Sequence, residues 1–563
     1  MKKNRFLTGL LYYHIPMLAI LGILAFYFRE YIFLLLCTLT STTERDFLYK
    51  PLQVAVYILL LVGWIALSFV TIRDKRYRWL TGRSYPSDHS QFNKTYWELV
   101  NFWSTNDRYK MNVEALPVED WHNADGVILA KYKDKAGDYH LIKRESNADG
   151  NLASFGLPGS GKSTTQAATT FRRFNAHLKK GGCGVFAISI KGDLLNFVKG
   201  KRKHIKVFTP DKEEGSWHYN PLEGVAQMSM TERRSFVENM SIIICPDEQG
   251  ENSAFFVNGA RDYFCAIVLY LLYLHDNGER EGELKFPEIV DAILSGNVFD
   301  VTMTIKNSGC AIAGEYSNSY EGSSEKNVSG IYNHLCKRVR PFNTGALRVL
   351  FDGEGKCIHP EDLNTGDIVI DVPQDEYSIY APAMAIIITN FLMAFMRRDD
   401  VSANQEVVPI MFLLDEAVQL NLDFTLLAQA MSTLRSKKVS IFLLMQSVAQ
   451  LEGRYGEAHA REIIDLCAYI SVFNAQDPKS RRYFQELVGR RKTLKRSTSL
   501  SSSANKNDTS GTSVSEVDEF IFEAADFGDL NIHDKKTGEI TKYQVLVYAN
   551  GKYILGETTP CFV

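Results

Sequence analysis

The stretch GLPGSGKS, residues 156–163, decides the fold. It follows an apolar run, LASF, that ends at Phe155, and it leads into a helix-forming segment near Lys162. That is G-x-x-x-x-G-K-S in the strand–loop–helix setting a phosphate-binding loop requires. Glycines at 156, 159 and 161 let backbone N–H groups wrap a phosphate while the helix N-terminus faces its charge. Ser160 and Thr164 belong to the same cradle, Lys162 reaches the β- and γ-phosphates, and Ser163 ligates Mg²⁺. ATP and Mg²⁺ are the ligands this pattern predicts.

A second apolar run, PIMFLLDE, delivers Asp415 and Glu416 to its carboxyl end, the ligand edge of an open parallel sheet. Asp415 is expected to hold the Mg²⁺ shell, and Glu416 to orient or deprotonate an attacking water. Taken alone, an acidic pair after a strand equally suits a helix N-terminus, where the dipole favours it. The phosphate loop upstream tips the reading toward catalysis. A third run, SIFLLM, ends in Gln446, a position suited to sensing a γ-phosphate.

Around these runs the chain reads as α/β. GVFAISI (184–190), IKVF (205–208), DIVIDV (367–372) and YISVF (469–473) are further short apolar segments, and helix-length connections separate several of them, as buried parallel strands demand. The rhythm stops between residues 223 and 341, where stretches such as ARDYFCAIVLYLLYL (260–274) predict an inserted all-helical domain. The nucleotide-binding domain is therefore assigned to 81–222 and 342–563. Within it, the polar tract 497–515 (STSLSSSANKNDTSGTSVS) offers too little apolar surface to order itself and is expected as a flexible loop. YQVLVY and KYILGE, joined through Asn550-Gly551, predict a hairpin.

Composition excludes other classes. With 45% hydrophobic and 23% charged residues over 563 positions, the chain is neither disordered nor collagenous. Lys+Arg 63 against Asp+Glu 66 gives a net charge of −3, so any nucleic-acid binding must be local. Nine scattered cysteines, without a CxxC pair, point to a reducing compartment and no zinc site. Residues 1–80 differ from the rest: 6–28 and 52–72 carry no formal charge and are each long enough to cross about 30 Å of hydrocarbon. Lys2, Lys3, Arg5, Arg73, Lys75, Arg76 and Arg78 flank the pair, against Arg29, Arg45 and Lys50 between them, which places both ends in the cytoplasm.

SIKGDL (189–194), FTP (208–210), NPL (220–222), LLDEAVQL (413–420), the run TLRSKKVSIFLLMQSVAQLEGRYG (433–456) and FQELVGRR (484–491) resemble the type IV coupling proteins. These are membrane-anchored, RecA/FtsK-like ATPases of conjugative type IV secretion. The resemblance covers residues 155 onward and implies a RecA-like P-loop nucleotide-binding domain with an inserted all-α domain and two N-terminal transmembrane helices. It further implies a multi-pass protein of the cell membrane that is hexameric when active. Its partners would be the relaxosome, which is single-stranded DNA with covalently bound relaxase, and the secretion channel proteins. It supports Gln446 as a sensor and implies that Arg435 reaches a neighbouring subunit's nucleotide. Ser189-Ile190 departs from the Asp-Pro common at that turn.

Two basic stretches bear on DNA: ten Lys/Arg against one acid in 172–206, and eight against one in 479–496. Runs of this kind are ordinarily solvated faces, but lining a channel they would track phosphates without reading bases. Two alternatives stay open, an FtsK/SpoIIIE-type double-stranded DNA translocase and a docking receptor whose nucleotide site only regulates assembly.

Overall fold

The computed structural model describes residues 38, 54, 113–117, 125–133, 139–146, 150–178, 181–190, 192–247, 253–295, 298–318, 323–343, 345–402, 406–501, 509–534, 537–549 and 551–561. The chain divides into two compact units, Met1–His89 with Leu494–Ser515, and Ser90–Thr493 with Glu516–Val563. The expected membrane spans, 6–28 and 52–72, lie outside the described residues but for Val54.

The strands are β1 (Val113–Pro117), β2 (Val127–Lys133), β3 (Tyr139–Arg144), β4 (Asn151–Phe155), β5 (Val185–Ile190), β6 (Ile205–Phe208), β7 (Asp367–Val372), β8 (Ile410–Leu414), β9 (Val439–Met445), β10 (Cys467–Val472), β11 (Arg490–Ser501), β12 (Thr509–Phe520), β13 (Ile532–His533), β14 (Ile540–Ala549) and β15 (Lys552–Thr558). All but β11 and β12 form one sheet in the order β1-β3-β2-β15-β14-β10-β4-β9-β8-β5-β7-β6, with β13 beside β14. From β10 to β6 the pairing is parallel, and from β10 through β14 to β1 it is antiparallel. The sheet is therefore mixed. The predicted C-terminal hairpin, β14 with β15, joins the parallel core through β10. β1 to β3 were not anticipated, because their alternation is weak.

Both faces of the parallel region are buried, which explains the unbroken apolar runs of its strands. The period of two sends Ile410, Phe412 and Leu414 into one apolar cluster and Met411 and Leu413 into the other. The second cluster also holds Ala167, Ala168 and Phe171 of the helical segment that follows GLPGSGKS. The first holds the helices Met230–Ile244, Ser253–Asp276 and Tyr377–Met396.

Between β6 and β7 the described elements are helical, from Val225–Gln227 to Pro360–Asn364, apart from one isolated bridge between His218 and Cys357. Ser229 caps the helix Met230–Ile244 in a reciprocal capping box with Glu232. The insertion shares the first apolar cluster: Phe286, Phe342 and Phe351 meet edge-to-face in one aromatic chain, which continues to Phe208 at the end of β6. Two described helices, Ala254–Asp276 and Gln374–Met396, are long and apolar enough to cross a membrane, yet 61% of each apolar window is buried inside the fold. They pack within the first apolar cluster.

The tract 497–515 departs from the expectation of a plain loop. Its described ends belong to β11 and β12, which pair as a separate two-stranded sheet. Ser and Thr lack core-forming surface, but β-branched Thr suits an extended backbone and strand pairing satisfies the backbone without a core.

Candidate nucleotide site

The loop 156–163 is anchored at its base. Gly156 N donates to Met445 O at the end of β9 (3.1 Å), and Leu157 N donates to the Asn474 side chain beyond β10 (2.8 Å). Gly159 and Gly161 both have positive φ, 81° and 98°. A Cβ on Gly161 would lie 2.6 Å from the Tyr543 ring, so that ring closes the loop from below. The helical segment starts as a wide π-type turn, Lys162–Ala167, with Thr165 N bonded to Gly161 O at 2.8 Å. Cys561 N donates to Thr164 O (3.0 Å), which ties the segment after β15 to the same turn.

At the carboxyl edge of β8, Asp415 continues the alternation of Met411 and Leu413, on the face that carries the loop's helical segment. Its carboxylate accepts from the Ser163 hydroxyl and from Glu416 N, the latter at 3.1 Å. Burial pushes the Asp415 carboxyl up, Lys162 pulls it back down, and Glu416 adds to the rise. Glu416 leaves the strand in the left-handed region, φ 49°, which turns its side chain inward. There Gln446 Nε2 lies 3.0 Å from both its carboxylate oxygens and Lys162 Nζ lies 3.7 Å from Oε1. Lys162 is 5% exposed, so its charge sits in a poorly solvated place, with the Glu416 carboxylate in contact and Asp415 near enough to interact with it.

The donor set fits a magnesium nucleotide. Ser163 and Asp415 form an oxygen pair of the kind Mg²⁺ takes, and Ser160 Oγ and Thr165 Oγ1 are buried without a hydrogen-bond partner among the described residues. The cradle has room at Gly159, where an added Cβ would meet nothing within 4 Å.

Gly156, Gly159, Ser160, Gly161, Lys162, Ser163, Thr164, Asp415, Glu416 and Gln446 therefore gather at one edge of β4, β8 and β9. Arg435 does not. It is exposed on the turn Leu434–Lys437, at the amino end of β9, a strand of seven residues that spans about 23 Å before Gln446 is reached. Sequence reading missed Asn474, Tyr543 and Cys561, since none carries a motif and each reaches the loop only through strand order. Of the basic stretches, Arg202 is wholly buried against Asp367 (2.6 and 2.8 Å) and Arg172 donates to Cys561 O, so both serve the fold. Lys199, Lys201 and Lys203 remain exposed.

Comparisons with known proteins bear on the family and the fold. The type IV secretion system-coupling protein VirD4 of Bartonella quintana (strain Toulouse) is 23% identical over 282 residues, 48% of this chain and 43% of that protein. Protein VirD4 of Rhizobium rhizogenes is 23% identical over 347 residues, 56% and 47% of the two chains. The chain thus spans less than half the length of the curated relatives it matches. Among solved structures, the unbound bacterial conjugative coupling protein TrwBdeltaN70 superposes with a TM-score of 0.57 at 14% identity, over 81% of this chain and 91% of that one. Plasmid coupling protein TrwB in complex with the ATP analogue ADPNP gives 0.55 at 14% identity over 82% and 92%, and its complex with ADP and Mg²⁺ gives 0.56 at 13% over the same shares. At such identities these are likenesses of fold. The model of the family described as type IV secretory system conjugative DNA transfer matches residues 106–535, both halves of the site included, and the chain belongs to that family.

Proposed function

We propose that this protein is a membrane-anchored ATPase that recruits a relaxase–single-stranded DNA complex and couples ATP hydrolysis to its transfer through a conjugative type IV secretion channel. The observation that carries the reading is the contact of Glu416 with both Lys162 and Gln446 at one edge of the sheet. A phosphate-reaching cation, a carboxylate able to take a proton from water and an amide able to sense a terminal phosphate are the parts hydrolysis needs. Lys162 and the loop amides bind the phosphates. Ser163 and Asp415 would hold Mg²⁺, which when bound draws charge from the phosphate oxygens. Glu416 orients the water and accepts its proton, and Gln446 positions the terminal phosphate. Uncharged segments 6–28 and 52–72 support the anchor, and the family and the exposed Lys199, Lys201 and Lys203 support DNA as the cargo. Active protein is a hexamer on this reading.

The test is steady-state ATPase of the purified protein with and without single-stranded DNA. Wild type should turn over and be stimulated by DNA. Lys162→Ala should lose binding of a fluorescent ATP analogue, whereas Glu416→Gln should bind it and lose about 10²-fold or more in kcat. Equal rates in wild type and Glu416→Gln overturn the chemistry, and turnover indifferent to DNA favours a docking receptor over a motor.

A further inference from the structure

Tyr377 opens the helix Tyr377–Met396, which packs against Ala417–Leu420, the turn that follows Glu416. Its side chain is 4% exposed, and its hydroxyl is buried with no hydrogen-bond partner among the described residues. Leaving such a group unpaired costs about 1–3 kcal/mol, so a buried phenol is normally given an acceptor. Burial first, then the neighbouring Asp415 and Glu416 carboxylates, hold this phenol well above the usual range. It is a neutral O–H donor near two acids, hydrogen-bonded to neither.

Glu416 presents the complementary situation. Gln446 and Lys162 contact its carboxylate, and no other side chain among the described residues donates to it. Those two are the groups that a terminal phosphate would claim. Once they turn to the phosphate, a partly buried carboxylate is left without a donor, and its orientation toward water is unsupported.

We propose that Tyr377 is the positioning residue for Glu416: its hydroxyl donates to the Glu416 carboxylate when a nucleoside triphosphate draws Lys162 and Gln446 away. The inference rests on the reading of this site as an ATPase. It gives Tyr377 no contact with the nucleotide, and it makes the empty site and the triphosphate-filled site differ by the exchange of one set of donors for another.

The test is Tyr377→Phe in the full chain, which keeps the ring and removes the O–H. Without nucleotide its melting temperature should equal or exceed that of wild type, because an unpaired buried hydroxyl has been removed. Its kcat should fall at least about tenfold with KM within about threefold, as loss of alignment predicts. The extra thermal stabilisation by ADPNP over ADP should shrink, with the ADP shift unchanged. In a Glu416→Gln background the second substitution should add nothing to the loss in kcat. Wild-type kcat together with an unchanged ADPNP-over-ADP difference overturns the proposal, and so does an equal loss of stabilisation by ADP and ADPNP, which would mark a structural role. If wild type binds ADPNP but does not hydrolyse ATP, the ATPase reading fails by itself, and the ADPNP-over-ADP difference still decides whether Tyr377 responds to the terminal phosphate.

Discussion

Gly161 sits at φ 98° and ψ −5° with the Tyr543 ring 2.6 Å from where a Cβ would be. Two separate costs therefore attach to any side chain there. The left-handed backbone costs an L-residue about 1–2 kcal/mol, and the ring adds a steric clash. Gly161→Ala should lower the melting temperature and weaken nucleotide binding. Adding Tyr543→Ala to it should recover the steric part of the binding defect and leave the backbone part. Thermal unfolding and binding of a fluorescent ATP analogue read both. A double variant no better than the single one would show that the ring does not press on the loop. Glu416 uses the same region of backbone, φ 49°, but there the strain accompanies a turn that carries its carboxylate off the strand toward Lys162.

Strand β7 begins with Asp367, and its carboxylate joins three elements at once. It accepts a bidentate pair from Arg202, before β6, and a bond from Val185 N at the start of β5 (3.0 Å), while Arg202 Nη1 reaches Phe174 O after the helix Ala168–Arg173 (2.7 Å). Burial pushes the Asp367 carboxyl up, and the Arg202 guanidinium and Val185 amide pull it back. Asp367→Asn leaves a buried guanidinium without its counter-charge, for which a loss of about 3–5 kcal/mol is expected in urea unfolding. Replacing both residues by apolar ones of similar volume should cost less than Asp367→Asn alone, since no unbalanced charge remains. A loss from Asp367→Asn of under about 1 kcal/mol would mean that water enters and solvates the pair.

At the scale of the whole molecule the question is where Arg435 acts. Within one chain it lies at the opposite end of β9 from Gln446, so a role for Arg435 at a nucleotide would require the nucleotide of another copy. Mixing Arg435→Ala chains with Lys162→Ala chains should then restore part of the ATPase activity, because some interfaces pair an intact nucleotide loop with an intact arginine. Turnover against mixing ratio measures it. Activity at every ratio no higher than the weighted sum of the two variants, with assembly intact, would place Arg435 on the surface without a catalytic duty.

The sequence by itself determined the phosphate loop, the acidic pair after β8 and the glutamine after β9, because each is a local pattern: residue types at short spacing behind an apolar run. It also determined the parallel strands, since strands buried on both faces must be apolar throughout. Tertiary structure decided what depends on partners far along the chain. β14 and β15 read as a hairpin without a neighbouring strand assigned, and only pairing of β14 with β10 carries Tyr543 beneath Gly161. Arg202 read as one charge in a basic run, and only its 0% exposure against Asp367, 165 positions away, removes it from any DNA-binding face. Tyr377 belongs to no motif in the sequence. Its unpaired hydroxyl is a property of packing, and spacing along a sequence holds no record of which donors a fold leaves without acceptors.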